Sequence, residues 1–136
     1  MPIATDELRP RLDPSRRRAL IEEGIRLFNT GRYYDCHDAW ETVWRSTTPE
    51  PRDFFQGLIQ VGVGFFHFHE RNRPDVARRV LAKGRRRLEP FGGRALGIDL
   101  ASLLATVRLW ETWLEEGAGE PPVAAKIVIV AATELS

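Results

Sequence analysis

The sequence predicts an all-α fold, a single-domain bundle of about five helices built from antiparallel hairpins, with an extended C-terminal tail. Three observations carry that expectation. Between residues 13 and 117, apolar positions recur at helical spacing in segments bounded by proline, glycine or asparagine. The stretch from Asp53 to Glu70 has no charged residue between its ends, so it reads as a central helix covered by its neighbours. After Gly117 the chain turns small, apolar and β-branched, which does not continue a bundle. At 136 residues, with 43% hydrophobic and 29% charged positions, the chain is read as one domain, 1–136.

Residues 1–12 read as a polar leader. Asp13-Pro14 supplies an N-cap and a proline at the first helical position, where a missing N–H is tolerated. The first helix then runs to about Phe28, with Leu20, Ile21, Gly24, Leu27 and Phe28 on one face, and Asn29-Thr30-Gly31 stops it. A second helix spans about Arg32 to Arg45. Its inward arc holds Tyr33, Cys36, His37, Trp40, Val43 and Trp44, with Glu41 at the edge. The prolines at 49 and 51 separate it from the third helix, 53–70. A fourth helix starts at Pro74 or Asp75 and ends near Leu88, with a narrow apolar arc of Ala77, Val80, Leu81, Gly84 and Leu88. Pro90 to Gly97 is expected to be a glycine-rich loop, and Asp99 to open a fifth helix whose inward arc includes Leu103, Val107, Trp110 and, unusually, Glu111. Pro121-Pro122 bars further helix. The tail, 118–136, must lie in a groove of the bundle or pair with the same tail of a second copy, since a lone strand cannot satisfy its own backbone. The groove is the preferred arrangement, and the second would make a homo-oligomer.

Composition narrows the function classes. A net charge of +1 argues against a strongly electrostatic partner for the molecule as a whole. The single cysteine, Cys36, excludes an intramolecular disulfide and a Cys-only metal site. The first ten residues carry acids where a signal peptide needs an apolar run, and the apolar interval 54–69 is too short and too interrupted to span a membrane. The expectation is a cytoplasmic protein with no membrane partner. No phosphate loop, nucleophile elbow or Cys/His metal spacing appears, so no cofactor is expected.

The polar residues of the third helix are the sharpest clue. At about 100° per residue, Gln56, Gln60, Val63 and His67 share one stripe, flanked by Gly57 and Gly64, which would admit a neighbouring helix. Buried amides and imidazoles left unpaired cost about 1–3 kcal/mol each. The nearest partners by geometry are His37 and Glu41, one turn apart on the second helix. A layer of His37, Glu41, Gln56, Gln60 and His67 follows, to be completed by Tyr34, Arg45 or Glu111. Its preferred reading is a buried hydrogen-bond network that fixes helix register. The competing reading is a small-ligand or acid–base site with His37, Glu41 or His67 as catalytic candidates. A metal site resembling those of helical bundles is disfavoured, because glutamines stand where such sites use carboxylates. His69 points elsewhere, towards the surface.

The same residues carry a resemblance. Phe28-Asn29-Thr30-Gly31-Arg32-Tyr33-Tyr34, then His37-Asp38-Ala39-Trp40-Glu41-Thr42-Val43-Trp44, then Phe55-Gln56-Gly57-Leu58-Ile59-Gln60 resemble the domain-of-unknown-function family 309. The resemblance spans about Leu20 to Leu88, plus Gly97-Ile98-Asp99. It implies a small all-helical cytosolic protein and no particular activity, and its signature falls on His37, Asp38, Glu41, Trp44, Gln56 and Gln60. Asp38 departs from the glutamate usual in the family, which shortens the reach from that position.

A basic region completes the survey. Arg71 to Arg94 holds nine basic residues against Asp75 and Glu89, a face that could meet phosphates, although a solvated amphipathic helix is the simpler reading. The sequence therefore supports first a non-enzymatic interaction or scaffold module with an unknown protein or small-molecule partner. An enzyme or ligand binder using His37, Glu41, Gln60 and His67 comes second, and a nucleic-acid-associated protein third.

Overall fold

A computed structural model shows the all-α architecture and describes residues 11–46 and 51–130. Its helices are α1 (Pro14–Asn29), α2 (Tyr33–Arg45), α3 (Arg52–His69), α4 (Pro74–Leu88) and α5 (Leu100–Glu116). The leader, except for its last two residues, the heart of the proline breaker and the last six residues of the tail lie outside the described residues. Helix α3 is the axis: α2 packs on one side of it and α4 on the other, while α1 lies on α2 and α5 on α4.

Three helix ends follow local chemistry. Gly31 and Gly117 take left-handed conformations, φ +81° and +68°, where α1 and α5 stop. Asp99 caps α5, accepting the Ser102 N–H at 3.1 Å and the Ser102 hydroxyl at 2.7 Å. The expected Asp13 cap does not form. The Asp13 carboxylate accepts the Ser15 hydroxyl at 2.7 Å and caps no backbone N–H.

The core gathers Phe28, Trp40, Phe54, Phe55 and Phe65, all at most 1% exposed. Cys36 is also fully buried; its thiol donates to the Tyr33 carbonyl, and burial pushes its pKa up to about 12. Gly57 and Gly64 do admit a neighbour, and it is α4, whose Leu88 and Leu81 press onto them. Gly84 on α4 returns the contact against the backbone of Gly57 and Val61. Gly62 gives α2 similar room, opposite Cys36.

The expected loop 90–97 is more ordered than the sequence suggested. A 3-10 turn, Glu89–Phe91, leads into an antiparallel hairpin, β1 (Arg94–Ala95) and β2 (Ile98–Asp99), with Ala95 opposite Ile98. Its two-residue turn is Leu96-Gly97, with φ +51° and +77°. Such turns favour asparagine or glycine at the first position, so leucine concealed this one.

The tail lies on its own bundle. The Asp99 N–H donates to the Val128 carbonyl at 3.0 Å and the Val130 N–H to the Gly97 carbonyl at 2.8 Å, placing Ile129 opposite Ile98 as a third extended segment. Asn29, at the end of α1, brackets Ile127 from both sides: its amide donates to the Ile127 carbonyl at 2.9 Å and its oxygen accepts the Ile127 N–H at 2.7 Å. Trp110 and Trp113 donate their indole N–H groups to the carbonyls of Val123 and Gly119. Ala125 and Ile127 are buried beneath these contacts.

Candidate functional site

On α2, Tyr33, Cys36, Trp40 and Val43 fill the buried face, and His37 and Glu41 stand at its edge. Helical spacing brings the pair together: His37 Nε2 lies 2.7 Å from Glu41 Oε2, with the side chains 29% and 24% exposed. Arg45, one turn further on, holds the other carboxylate oxygen. Glu41 thus orients an imidazole and anchors a guanidinium within a single helix. Of the residues expected beside this pair, Arg45 binds Glu41 and Tyr34 flanks His37, the two rings 6.1 Å apart.

The glutamines do not join them. Gln60 turns towards α4, where its side-chain oxygen accepts from Arg87 Nε at 3.0 Å, and Arg87 also reaches Asp53 at 3.1 Å. Gln56 is half-buried, and no hydrogen bond ties it to His37, Glu41 or His67 among the described residues. Glu111 is taken elsewhere, clamped by Arg85 at 2.6 and 3.0 Å. The expected buried layer is therefore a half-buried seam along α3, divided between α2 and α4. Ser46 is the single buried polar side chain among the described residues. The physical reason is in α3 itself: Phe54, Phe55, Leu58, Val61 and Phe65 turn its greasiest face inward, which rotates the polar stripe outward.

Seam and α2 enclose a hollow of about 210 Å³ lined by Tyr33, Tyr34, His37, Val63, Phe66 and His67. Here the structure does bring His37 and His67 to the lining of one hollow, from α2 and α3 respectively. His67 Nδ1 is buried without a hydrogen-bond partner. Burial holds the His67 pKa below 6.5, and Arg73 and Arg71 lower it further. His69 reaches the surface as expected, with its ring stacked on Tyr33 at 5.4 Å. No three of the described His, Cys, Asp and Glu residues cluster in a way that could hold a metal ion.

The basic region is partly consumed internally. Arg85 is bound to Glu111 and Glu89, and Arg87 to Gln60 and Asp53. Arg79, Lys83 and Arg86 remain exposed along the outer line of α4.

A second hollow, of about 250 Å³, was not foreseen. Ile21 and Ile25 of α1 and Phe54 and Phe55 of α3 line it, as do Leu96 at the hairpin turn and Ile129 of the tail. Leu96 and Ile129 are 39% and 53% exposed, and Arg17, Arg18 and Glu22 on α1 are the charged residues that line the hollow. Its walls come from four distant parts of the chain, so no local pattern announced it. The one sequence signal was an apolar residue before the glycine of Leu96-Gly97.

Comparison with known proteins adds a likeness to a family but no chemistry. The model of a domain of unknown function (DUF309) matches residues 21–80. The chain is 31% identical over 90 residues, 64% of its length, to the Bacillus subtilis (strain 168) protein named "Uncharacterized protein YpuF". It spans about half, 51%, of that relative's length.

Proposed function

Taking as premise that residues 21–80 belong to the domain-of-unknown-function family 309, we propose that this chain is a non-enzymatic interaction module that docks a partner in the groove between α1, α3, the hairpin turn and the tail. The observation that carries the reading is the apolar rim: Leu96 and Ile129 stand exposed over a floor of isoleucine and phenylalanine. Exposed large apolar side chains gathered around a hollow are the usual mark of a contact surface. Affinity purification with wild type, Leu96→Ser/Ile129→Ser and His37→Gln/Glu41→Gln tests it. A bound protein should survive the dyad substitutions and be lost with the rim substitutions. Equal retention by all three forms sinks the proposal.

A second reading is supported by the smaller hollow, which His37 and His67 both line. In that reading the smaller hollow takes a small ligand that hydrogen-bonds the imidazoles lining it, with Glu41 fixing the His37 ring. Its check is thermal stabilisation of the protein by small hydroxy or carboxylic acids. Stabilisation that persists in His67→Phe would rule it out.

A further inference from the structure

We propose that the smaller hollow takes a small aromatic carboxylate, its ring set against Tyr34 and Phe66 and its charge towards Arg71. The inference rests on the second, small-ligand reading above and deepens it by naming the ligand class. Shape favours a single flat ring. The hollow of about 210 Å³ lies below the roughly 300–1,000 Å³ of clefts that enclose a drug-sized molecule. It exceeds the roughly 150 Å³ that holds one benzene ring. Its walls are themselves rings: Tyr33, Tyr34 and Phe66 line it with the two imidazoles, and Val63 is the one aliphatic side chain among the lining residues. The Tyr34 and Phe66 rings stand 5.6 Å apart, inclined at 52°. A further ring packs edge-on or offset against such a corner.

Charge selects an anion. Burial first, and then Arg73 and Arg71, hold His67 below its ordinary pKa, and no carboxylate acts on it in the opposite sense. The field at His67 is therefore positive. The Arg71 guanidinium lies 5.3 Å from the centre of the Phe66 ring, which itself lines the hollow. Neither Arg71 nor Arg73 has a carboxylate partner among the described residues. Glu70, beside Arg71 in sequence, acts on His69 instead. Glu41 is occupied, with His37 Nε2 at 2.7 Å from one oxygen and Arg45 on the other. A carboxylate entering the hollow thus meets guanidinium that no acid of the protein has claimed, and an ammonium is repelled.

Imidazole signals followed by NMR at constant ionic strength test the proposal, with benzoate, benzyl alcohol, benzylamine and lactate as probes. Benzoate should shift the ring signals of His37 and His67, and benzyl alcohol should bind about threefold or more weakly. Benzylamine should leave both signals in place. Arg71→Gln should weaken benzoate about threefold or more while benzyl alcohol and the melting temperature stay unchanged. Arg86→Gln, the same loss of charge on the exposed line of α4, should bind benzoate like wild type. Tyr34 is 60% exposed, so Tyr34→Ala should weaken both aromatic probes without unfolding the protein. Equal binding of benzyl alcohol, or indifference to Arg71→Gln, overturns the anionic ligand. Equal binding of lactate, or indifference to Tyr34→Ala, overturns the aromatic one. In each of these cases the shifted imidazoles leave the small-ligand reading standing. If lactate alone shifts them, the inference fails and that reading survives; silence of every probe ends both.

Discussion

A Cβ built on Gly84 would sit 2.9 Å from the Gly57 carbonyl oxygen and 2.9 Å from the Val61 nitrogen. Backbone cannot step aside as a side chain does, so Gly84→Ala must push α4 away from α3. The expected loss is about 1–3 kcal/mol, read from the urea midpoint at unchanged slope. Gly57→Ala meets the Leu88 side chain instead, which has rotamers to try, and should lose less. The contact argument is wrong if Gly84→Ala unfolds at the wild-type midpoint. His67, with its orphaned nitrogen, and Leu96, at positive φ, belong to this scale too: each departs from what the fold alone would select, and each residue lines one of the two hollows.

Among elements, α4 and α5 are joined by a bidentate ion pair in which Glu111 takes the Nε–Nη2 edge of Arg85, with the two side chains 15% and 16% exposed. Glu111→Ala leaves that guanidinium with Glu89 alone and should cost about 2 kcal/mol. Arg85→Met combined with Glu111→Leu should recover most of the loss, because two desolvated charges are replaced by apolar volume. Strict additivity across the mutant cycle would show that the pair is not coupled. The pair also separates Arg85 from the exposed line of Arg79, Lys83 and Arg86, so a charge reversal at Arg85 would report on folding and not on phosphate binding. The tail depends on Asn29 in a similar way. Asn29→Ala removes both hydrogen bonds to Ile127 and leaves a half-buried N–H and C=O unpaired, a loss of about 1–3 kcal/mol. Amide exchange at Ile127 and Val128 should accelerate well before that of α3. Unchanged protection in the tail would mean that Trp110 and the hairpin hold it unaided.

For the whole molecule, two histidines link stability to pH. His67 is held below its ordinary 6.5 by burial and then by Arg73 and Arg71, and His69 by burial against the opposing pull of Glu70. The unfolded chain therefore takes up these protons first as pH falls below about 6.5, so their contribution is complete above that pH and declines on acidification. The melting temperature should drop between pH 7 and pH 5.5, and His67→Phe should flatten the drop. A variant with the wild-type slope would remove His67 from the account. No helix among the described residues is long and apolar enough to cross a membrane.

The five helices and their approximate limits were legible because each is encoded within itself, by an apolar face at the 3.6-residue period and by glycine, proline or a cap at its ends. Gly57, Gly64 and the His37–Glu41 pair were legible for the same reason, since one helix places them. What stayed hidden depends on rotation and on distant partners. The direction of the α3 stripe was settled by which of its faces is greasiest against its neighbours, so Gln60 went to Arg87 and not to Glu41. Glu111 looked anomalous until Arg85, 26 residues earlier, met it. The hairpin escaped notice because leucine occupies a left-handed turn, and the larger groove because its walls come from α1, α3, residues 96–98 and Ile129. Local periodicity and capping thus determined the helices of this protein, while long-range packing alone decided where its polar seam faces and where its grooves open.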